Sequence, residues 1–480
     1  MSHTIGAEGV GLYQVSLSMF AFIFTLISSG VPITVSRLMT KYKAENKQKK
    51  VFEIITAGIV VSLFLSIPTC LIILLLHGHL SFLFADERCV KIFLILSPGL
   101  IFASVYSVMR GVFWGNKDFF PYSLIELLEE ICMIIVGIIL INNSVSVYDG
   151  AISAGIAVII SYVFSFSLSI FVFIFRKNKL ANPYYQFKPL LKSSTPVTIM
   201  RTVSTLAMSV VSIILPMRLV VAGFSQAQAL SLYGSAVGQA VPLMFIPTSL
   251  ISSFTLVLIP EISENFYKNN HLNLKNDIEK SIGFTIALTC LFVPVFFVCG
   301  KELGVLIFNN ADCGEFLSLS SFLVVFIGLV NITTSILNSI GAENQVLFFY
   351  MISGVFMIVS VWVLPKFIGI YSLIIGYVFI YGLTSILNLV LIQKKSQEKV
   401  KVTKKLLVAI LLTIPTIIIG LMLREMVLSL LGNFFSIAVC ASVMTIFYSL
   451  LAVGFNVVDI SMIKVYRKKH KTSAKLEKTI

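Results

Sequence analysis

Runs of roughly 20 to 30 apolar residues recur along the whole chain, and this recurrence constrains the fold before any motif is considered. Wound as a helix, such a run crosses the roughly 30 Å of bilayer hydrocarbon. The runs lie at about 10–39, 51–76, 91–113, 121–142, 150–175, 196–222, 231–262, 281–300, 317–340, 346–365, 370–392, 406–423 and 434–458. Thirteen membrane helices are therefore expected. Of 480 residues, 57% are hydrophobic and 12% charged, and the mean hydropathy is +0.97, the composition of an integral membrane protein. No connection is longer than about 20 residues, which leaves no room for a soluble catalytic domain.

The formal charge of +14 is concentrated in particular connections. Segments 41–50 (KYKAENKQKK), 176–192 (RKNKLANPYYQFKPLLK), 394–405 (KKSQEKVKVTKK) and 464–478 (KVYRKKHKTSAKLEK) are rich in lysine, whereas 77–88, 142–150 and 223–230 are not. The rule that basic loops stay inside places the first set in the cytoplasm. Thirteen alternating spans put all of them on one side, with the N-terminus outside and the C-terminus cytoplasmic. The lysines then serve topology and attraction to anionic headgroups, and nucleic acid is not an expected partner. MSHTIGAEGVG at the start lacks a basic n-region, so no cleaved signal is expected. Cysteines 70, 89, 132, 290, 299, 313 and 440 show no metal-binding spacing and read as small core residues.

Internal similarity points to two halves. Leu12-Tyr13 opens a helix that ends in Val35-Ser36-Arg37, and Leu232-Tyr233 opens one that ends in Ile259-Pro260-Glu261-Ile262-Ser263, so residue 12 answers to 232 and residue 36 to 263. Likewise Gly115-Asn116-Lys117 answers to Gly341-Ala342-Glu343-Asn344. Six helices separate the equivalent positions, and an even number gives both halves the same orientation, related by an axis along the membrane normal.

Gly6-Ala7-Glu8-Gly9-Val10-Gly11-Leu12-Tyr13-Gln14, Gly30-Val31-Pro32 with Ser36-Arg37, and Arg110-Gly111 with Gly115 and Pro121 resemble the opening helices of the stage V sporulation protein B group. That group lies in the polysaccharide transporter branch of the multidrug/oligosaccharidyl-lipid/polysaccharide flippase superfamily, which also holds the MurJ-type lipid II flippases. The resemblance implies an all-α polytopic fold with two six-helix bundles of parallel repeat around a central cavity, plus two C-terminal helices. On that pattern residues 1–192 form the N-terminal bundle, 193–393 the C-terminal bundle, 394–458 two extra membrane helices and 459–480 a basic cytoplasmic tail. A full helix, 196–222, precedes Leu232-Tyr233, but only eleven residues precede Leu12-Tyr13. The first family helix is expected to be missing from the chain as given, which bears on its competence for transport.

Charged groups inside the apolar runs are the candidate site. Helix 121–142 carries Glu126, Glu129 and Glu130, whose i, i+3, i+4 spacing puts all three on one face. At 1.5 Å per residue, Glu126 lies roughly 8 Å and Glu130 roughly 14 Å along it. Carboxylates so close in a membrane need protons, a cation or an arginine to offset their repulsion. They are candidates for ion coupling or charge pairing, with acids held neutral between packed helices as the structural alternative. Helix 196–222 carries Arg201 and Arg218, each of which must reach an interface, pair with an acid or line a wet cavity. Arg201 is the first candidate for a diphosphate partner, since a guanidinium binds phosphate oxygens in bidentate fashion. Arg218 sits where it can snorkel outward. Arg37 and Arg110 lie at cytoplasmic helix ends, where anchoring and substrate entry use the same positions. Gln239, Asn331 and Asn338 serve either helix bridging or sugar binding. His77, His79 and His271 lie in loops or helix ends and are not spaced as a buried metal site. Prolines 32, 68, 98, 216, 242, 247, 294 and 415 are positions for bends.

The resemblance implies a flippase that exports an undecaprenyl-pyrophosphate-linked sugar, lipid II or a related envelope or spore glycan, by alternating access in the bacterial cytoplasmic membrane. It implies no cofactor, with coupling to a monovalent cation, a proton gradient or the membrane potential, and a monomer among membrane lipids. A multidrug/cation antiporter of the same superfamily and a non-transporting envelope-assembly or sporulation scaffold are the alternatives. A membrane glycosyltransferase fits least, because no loop offers a DxD-type acidic site.

Overall fold

A computed structural model describes residues 2–81, 84–176, 179–268, 270–396, 403–455 and 457. The expected basic tail at 459–480 lies outside them. The described chain is all helical. In order the helices are α1 Ser2–Ser28, α2 Val31–Ala44, α3 Gln48–Leu75, α4 Glu87–Leu96, α5 Gly99–Asn116, α6 Phe119–Asn142, α7 Val147–Phe175, α8 Phe187–Val221 and α9 Gln226–Tyr233. Then follow α10 Val241–Tyr267, α11 His271–Phe308, α12 Ala311–Ser320, α13 Leu323–Ser339, α14 Glu343–Val363, α15 Pro365–Ile368, α16 Ser372–Tyr377, α17 Thr384–Lys395 and α18 Thr403–Gly454.

By length and apolar character, 10 of the described helices can cross a membrane, or 12 when each bent pair is taken as one span. The sequence count of thirteen differs by α6. Its 24 residues are long enough, but the three glutamates set it apart from its apolar neighbours. The chain is a multi-pass membrane protein.

The two bent pairs are α4 with α5, at 46°, and α12 with α13, at 62°. They begin at residues 87 and 311, so the same broken span recurs in both halves of the sequence. Pro98 stands at the first bend as the residue capping α5, where its missing N–H and its ring break the ladder. Pro242 plays a related part, following a π-helical turn at Gly234–Ala240, since its ring displaces the carbonyl four residues back. Pro68, Pro216, Pro294 and Pro415 lie inside continuous helices.

The chain forms two compact units, Met1–Gly238 with Ile358–Ser372, and Gln239–Met357 with Leu373 onward. In the first, α1 runs through the middle against α7, α8 and α9, with α2 and α3 on α5 and α6 on α7. Helix α8, which opens the second half of the sequence, thus packs in the first unit. The crossing of α1 and α9 is close enough to require glycine: a Cβ on Gly11 would lie 2.0 Å from the Leu230 carbonyl oxygen, and one on Gly234 2.0 Å from that of Ala7. In the second unit α11 is central, packed by α10, α12, α13 and α18. Arg424 of α18 donates from Nε to Glu302 Oε1 of α11 at 3.0 Å, and a second bond runs from Nη2.

Cysteines 70, 89, 290, 299, 313 and 440 are buried and Cys132 is half-buried, all as free thiols, so six of the seven are small core residues.

Candidate functional site

The helical spacing of α6 divides it into two faces. Leu127, Ile131, Ile134 and Ile138 form an exposed apolar stripe, at 58%, 41%, 56% and 53% exposure, the face suited to lipid. Glu126 and Glu129 are half-buried on the other side, toward α5 and α7, and Glu130 stands at the edge between the two faces and is exposed. Glu129 is coupled to Ser165 of α7 and to the Arg110 cation of α5, while the Ser165 hydroxyl donates to the Tyr162 carbonyl at 3.2 Å. Glu126 is coupled to Tyr122 one turn earlier, and Glu130 to Tyr13 of α1 and Tyr162 of α7. Among the described residues, no three His, Cys, Asp or Glu side chains gather to hold a metal ion; the three carboxylates face different partners.

Arg110 is drawn into this cluster. Its guanidinium lies over the Tyr106 ring at 5.4 Å, its Nε is buried without a hydrogen-bond partner, and so is the Tyr106 hydroxyl. No carboxylate lies within ion-pairing distance of it among the described residues. The guanidinium therefore stands beside this group, coupled to Glu129 and locked by none of the three acids. Such a group can carry protons or bind a small cation, and it leaves the arginine free to meet an anion. Tyr13, Tyr106, Tyr162 and Ser165 were not evident from the sequence, since a tyrosine in an apolar run carries no signal of what it faces.

The other candidates lie apart from the cluster. Arg37 donates to the Ser193 hydroxyl, tying α2 to the start of α8. Arg201 is exposed, with no ion-pair partner among the described residues. Arg218 is occupied: Nε donates to the Trp362 carbonyl at 2.7 Å, and the guanidinium stacks over the Trp362 ring at 4.9 Å. Gln239 is buried and accepts from Asn310 Nδ2 at 2.8 Å, which is helix bridging. Asn331 is half-buried and Asn338 exposed. The stronger polar bridge of that region is Asn388, whose Nδ2 donates to Thr333 and Thr334, each at 3.2 Å. A lone asparagine in the run 370–392 was its only mark in the sequence.

A family model described as polysaccharide biosynthesis protein matches residues 1–266, more than half of the chain. The chain belongs to that family. Within the polysaccharide biosynthesis family it is 23% identical over 355 residues to stage V sporulation protein B of Bacillus subtilis (strain 168), covering 70% of this chain and 68% of that one. It is 23% identical over 325 residues to lipid II flippase MurJ of the same organism, covering 62% of this chain and 59% of that one. The solved structure of lipid II flippase MurJ in an inward closed conformation shares the fold, with a TM-score of 0.68 at 17% identity, covering 95% of this chain and 94% of that one.

Proposed function

We propose that the protein is a flippase that carries a polyprenyl-diphosphate-linked glycan, a peptidoglycan precursor or a related envelope or spore glycan, outward across a bacterial cytoplasmic membrane by alternating access. One observation supports this reading: in a chain of the polysaccharide biosynthesis family whose described mass is almost wholly apolar helix, α6 sets the half-buried Glu126 and Glu129, with Glu130 exposed at their edge, beside an Arg110 guanidinium of α5 whose Nε is buried and unpartnered. Ionisable groups within a bundle of apolar helices are costly and persist where they serve a pathway. The sugar headgroup crosses through the protein while the polyprenyl tail stays in lipid. Arg110 and Arg201 offer the diphosphate its positive charge, and the glutamates of α6 take up a proton or a monovalent cation in each cycle. The absence of long loops in the sequence and the names of the relatives support a transporter rather than an enzyme. The basic connections support a cytoplasmic C-terminus.

The test is flipping of a fluorescent lipid-linked precursor in vesicles. Glu129→Gln and Arg110→Gln should each lower the rate at least tenfold while the protein elutes as the wild type does in gel filtration. Wild-type rates in both variants would overturn the site, and no flipping by the wild-type chain would overturn the function.

A further inference from the structure

The connection between α2 and α3 and the start of α8 with the segment before it border an open cavity of about 730 Å³, lined among others by Tyr42, Lys49, Lys50, Glu53, Tyr185 and Gln186. Its wall is preformed. Tyr42 donates to Gln186 Oε1 at 2.8 Å, and Gln186 Nε2 donates to Glu53 Oε2 at 3.2 Å. All three side chains are buried. The backbone N–H of Ala181 donates to Thr56 Oγ1 at 3.0 Å, pinning the same segment lower on α3.

The charge at the mouth is net positive, with Lys47, Lys49 and Lys50 lining it. Lys47 bonds Glu45 at 2.6 Å and, with smaller contributions from Lys41 and Lys50, holds its carboxyl below the usual carboxylate value. Lys49 and Lys50 pair with no carboxylate among the described residues, and Lys50 lies over the Tyr42 ring at 5.8 Å. The first turn of α3 carries no acid, and Lys47 at its N-cap makes no side-chain cap. Two lysines at the positive end of a 28-residue helix repel the helix dipole and call for an anion. Glu53 answers to Gln186 at the floor, leaving the mouth to the lysines.

What lies beside the cavity selects the anion. Both connections belong to the basic, cytoplasmic set, and α3 enters its apolar run at Val51. Tyr184 and Tyr185 stand at the lip, 71% and 79% exposed and edge to face at 5.3 Å, the side chains favoured at a membrane interface. Below, on the same face of α3 as Lys49 and Glu53, an apolar stripe continues through Val60, Phe64, Ile67 and Leu71, exposed at 40%, 75%, 41% and 53%. A free phosphate has no use for that stripe; an acyl chain does.

We infer that this cavity holds the headgroup phosphate of an anionic membrane phospholipid, with its acyl chain along Val60, Phe64, Ile67 and Leu71. The site is separate from the α6 cluster and does not depend on what the protein transports. The experiment is native mass spectrometry of the full chain in detergent with phosphatidylglycerol, phosphatidylcholine or inorganic pyrophosphate added. Wild-type protein should retain phosphatidylglycerol over phosphatidylcholine at least tenfold. Lys49→Gln/Lys50→Gln should bring that ratio close to one, and Lys50→Glu alone should lower it at least fivefold. Lys394→Gln/Lys395→Gln, which removes equal charge elsewhere, should leave it unchanged. The inference falls if the wild type retains both lipids equally, if the Lys49/Lys50 variants match the wild type, or if the Lys394/Lys395 control loses as much. Displacement of the phospholipid by pyrophosphate would also overturn it, since the site would then read a soluble phosphate.

Discussion

Replacing Arg218 by alanine separates a structural arginine from a substrate-binding one. In the structure this guanidinium donates to the Trp362 carbonyl at 2.7 Å and covers the indole at 4.9 Å. A hydrogen bond from a charged donor is worth about 1.5–3 kcal/mol, and partial exposure brings the figure to the lower end. Trp362 is 52% exposed, so the stacking adds about 0.5–1 kcal/mol. Arg218→Ala should therefore destabilise the protein by about 2 kcal/mol. Arg218→Lys keeps the charge but loses the planar stack and the Nε donor, and should cost about half as much. Trp362→Ala removes the ring and leaves the carbonyl, so the double variant should cost less than the two single changes together. Thermal unfolding in detergent reads these differences, and binding of lipid-linked precursor is measured alongside. Unchanged unfolding of Arg218→Ala together with lost precursor binding would refute the reasoning and return Arg218 to the substrate.

Two further outcomes follow from packing. Arg424→Ala leaves Glu302, only 13% exposed, without its cation, and should cost about 2–4 kcal/mol; Arg424→Met with Glu302→Leu should recover most of it, because loss of one partner of a buried pair costs more than loss of both. Thermal unfolding in detergent compares the two. Gly11→Ala sets a Cβ 2.0 Å from the Leu230 carbonyl oxygen and should destabilise by about 1–3 kcal/mol; adding Gly234→Ala at the same crossing should cost less than its own single effect, which a double-mutant cycle by denaturant unfolding checks.

The membrane class, twelve of the thirteen expected spans and the spacing that sets Glu126, Glu129 and Glu130 close together on one helix were all legible in the sequence. Each depends on residues within a few positions of one another: a span needs its own apolar run, and a helix face repeats every 3.6 residues. The repeat was legible for the same reason, since local helix ends such as Gly115 and Gly341 recur as short patterns, and the recurrence of the bent span agrees with it. What a side chain meets across the bundle was not. Arg201 and Arg218 share one helix and one residue type, yet the first is exposed and the second is held by Trp362, 144 residues away. The glutamates could be placed close together on one helix, but that Arg110 and Tyr106 complete their cluster follows from how α5 and α6 pack. The cavity over Lys49 and Lys50 exists because Gln186, distant in sequence, bonds both Tyr42 and Glu53. Helix periodicity is fixed by hydrogen bonds four residues apart, whereas these partnerships are fixed by where helices cross. Small residues such as Gly11 and Gly234, and bends such as that at Pro98, set those crossings only once the chain has packed.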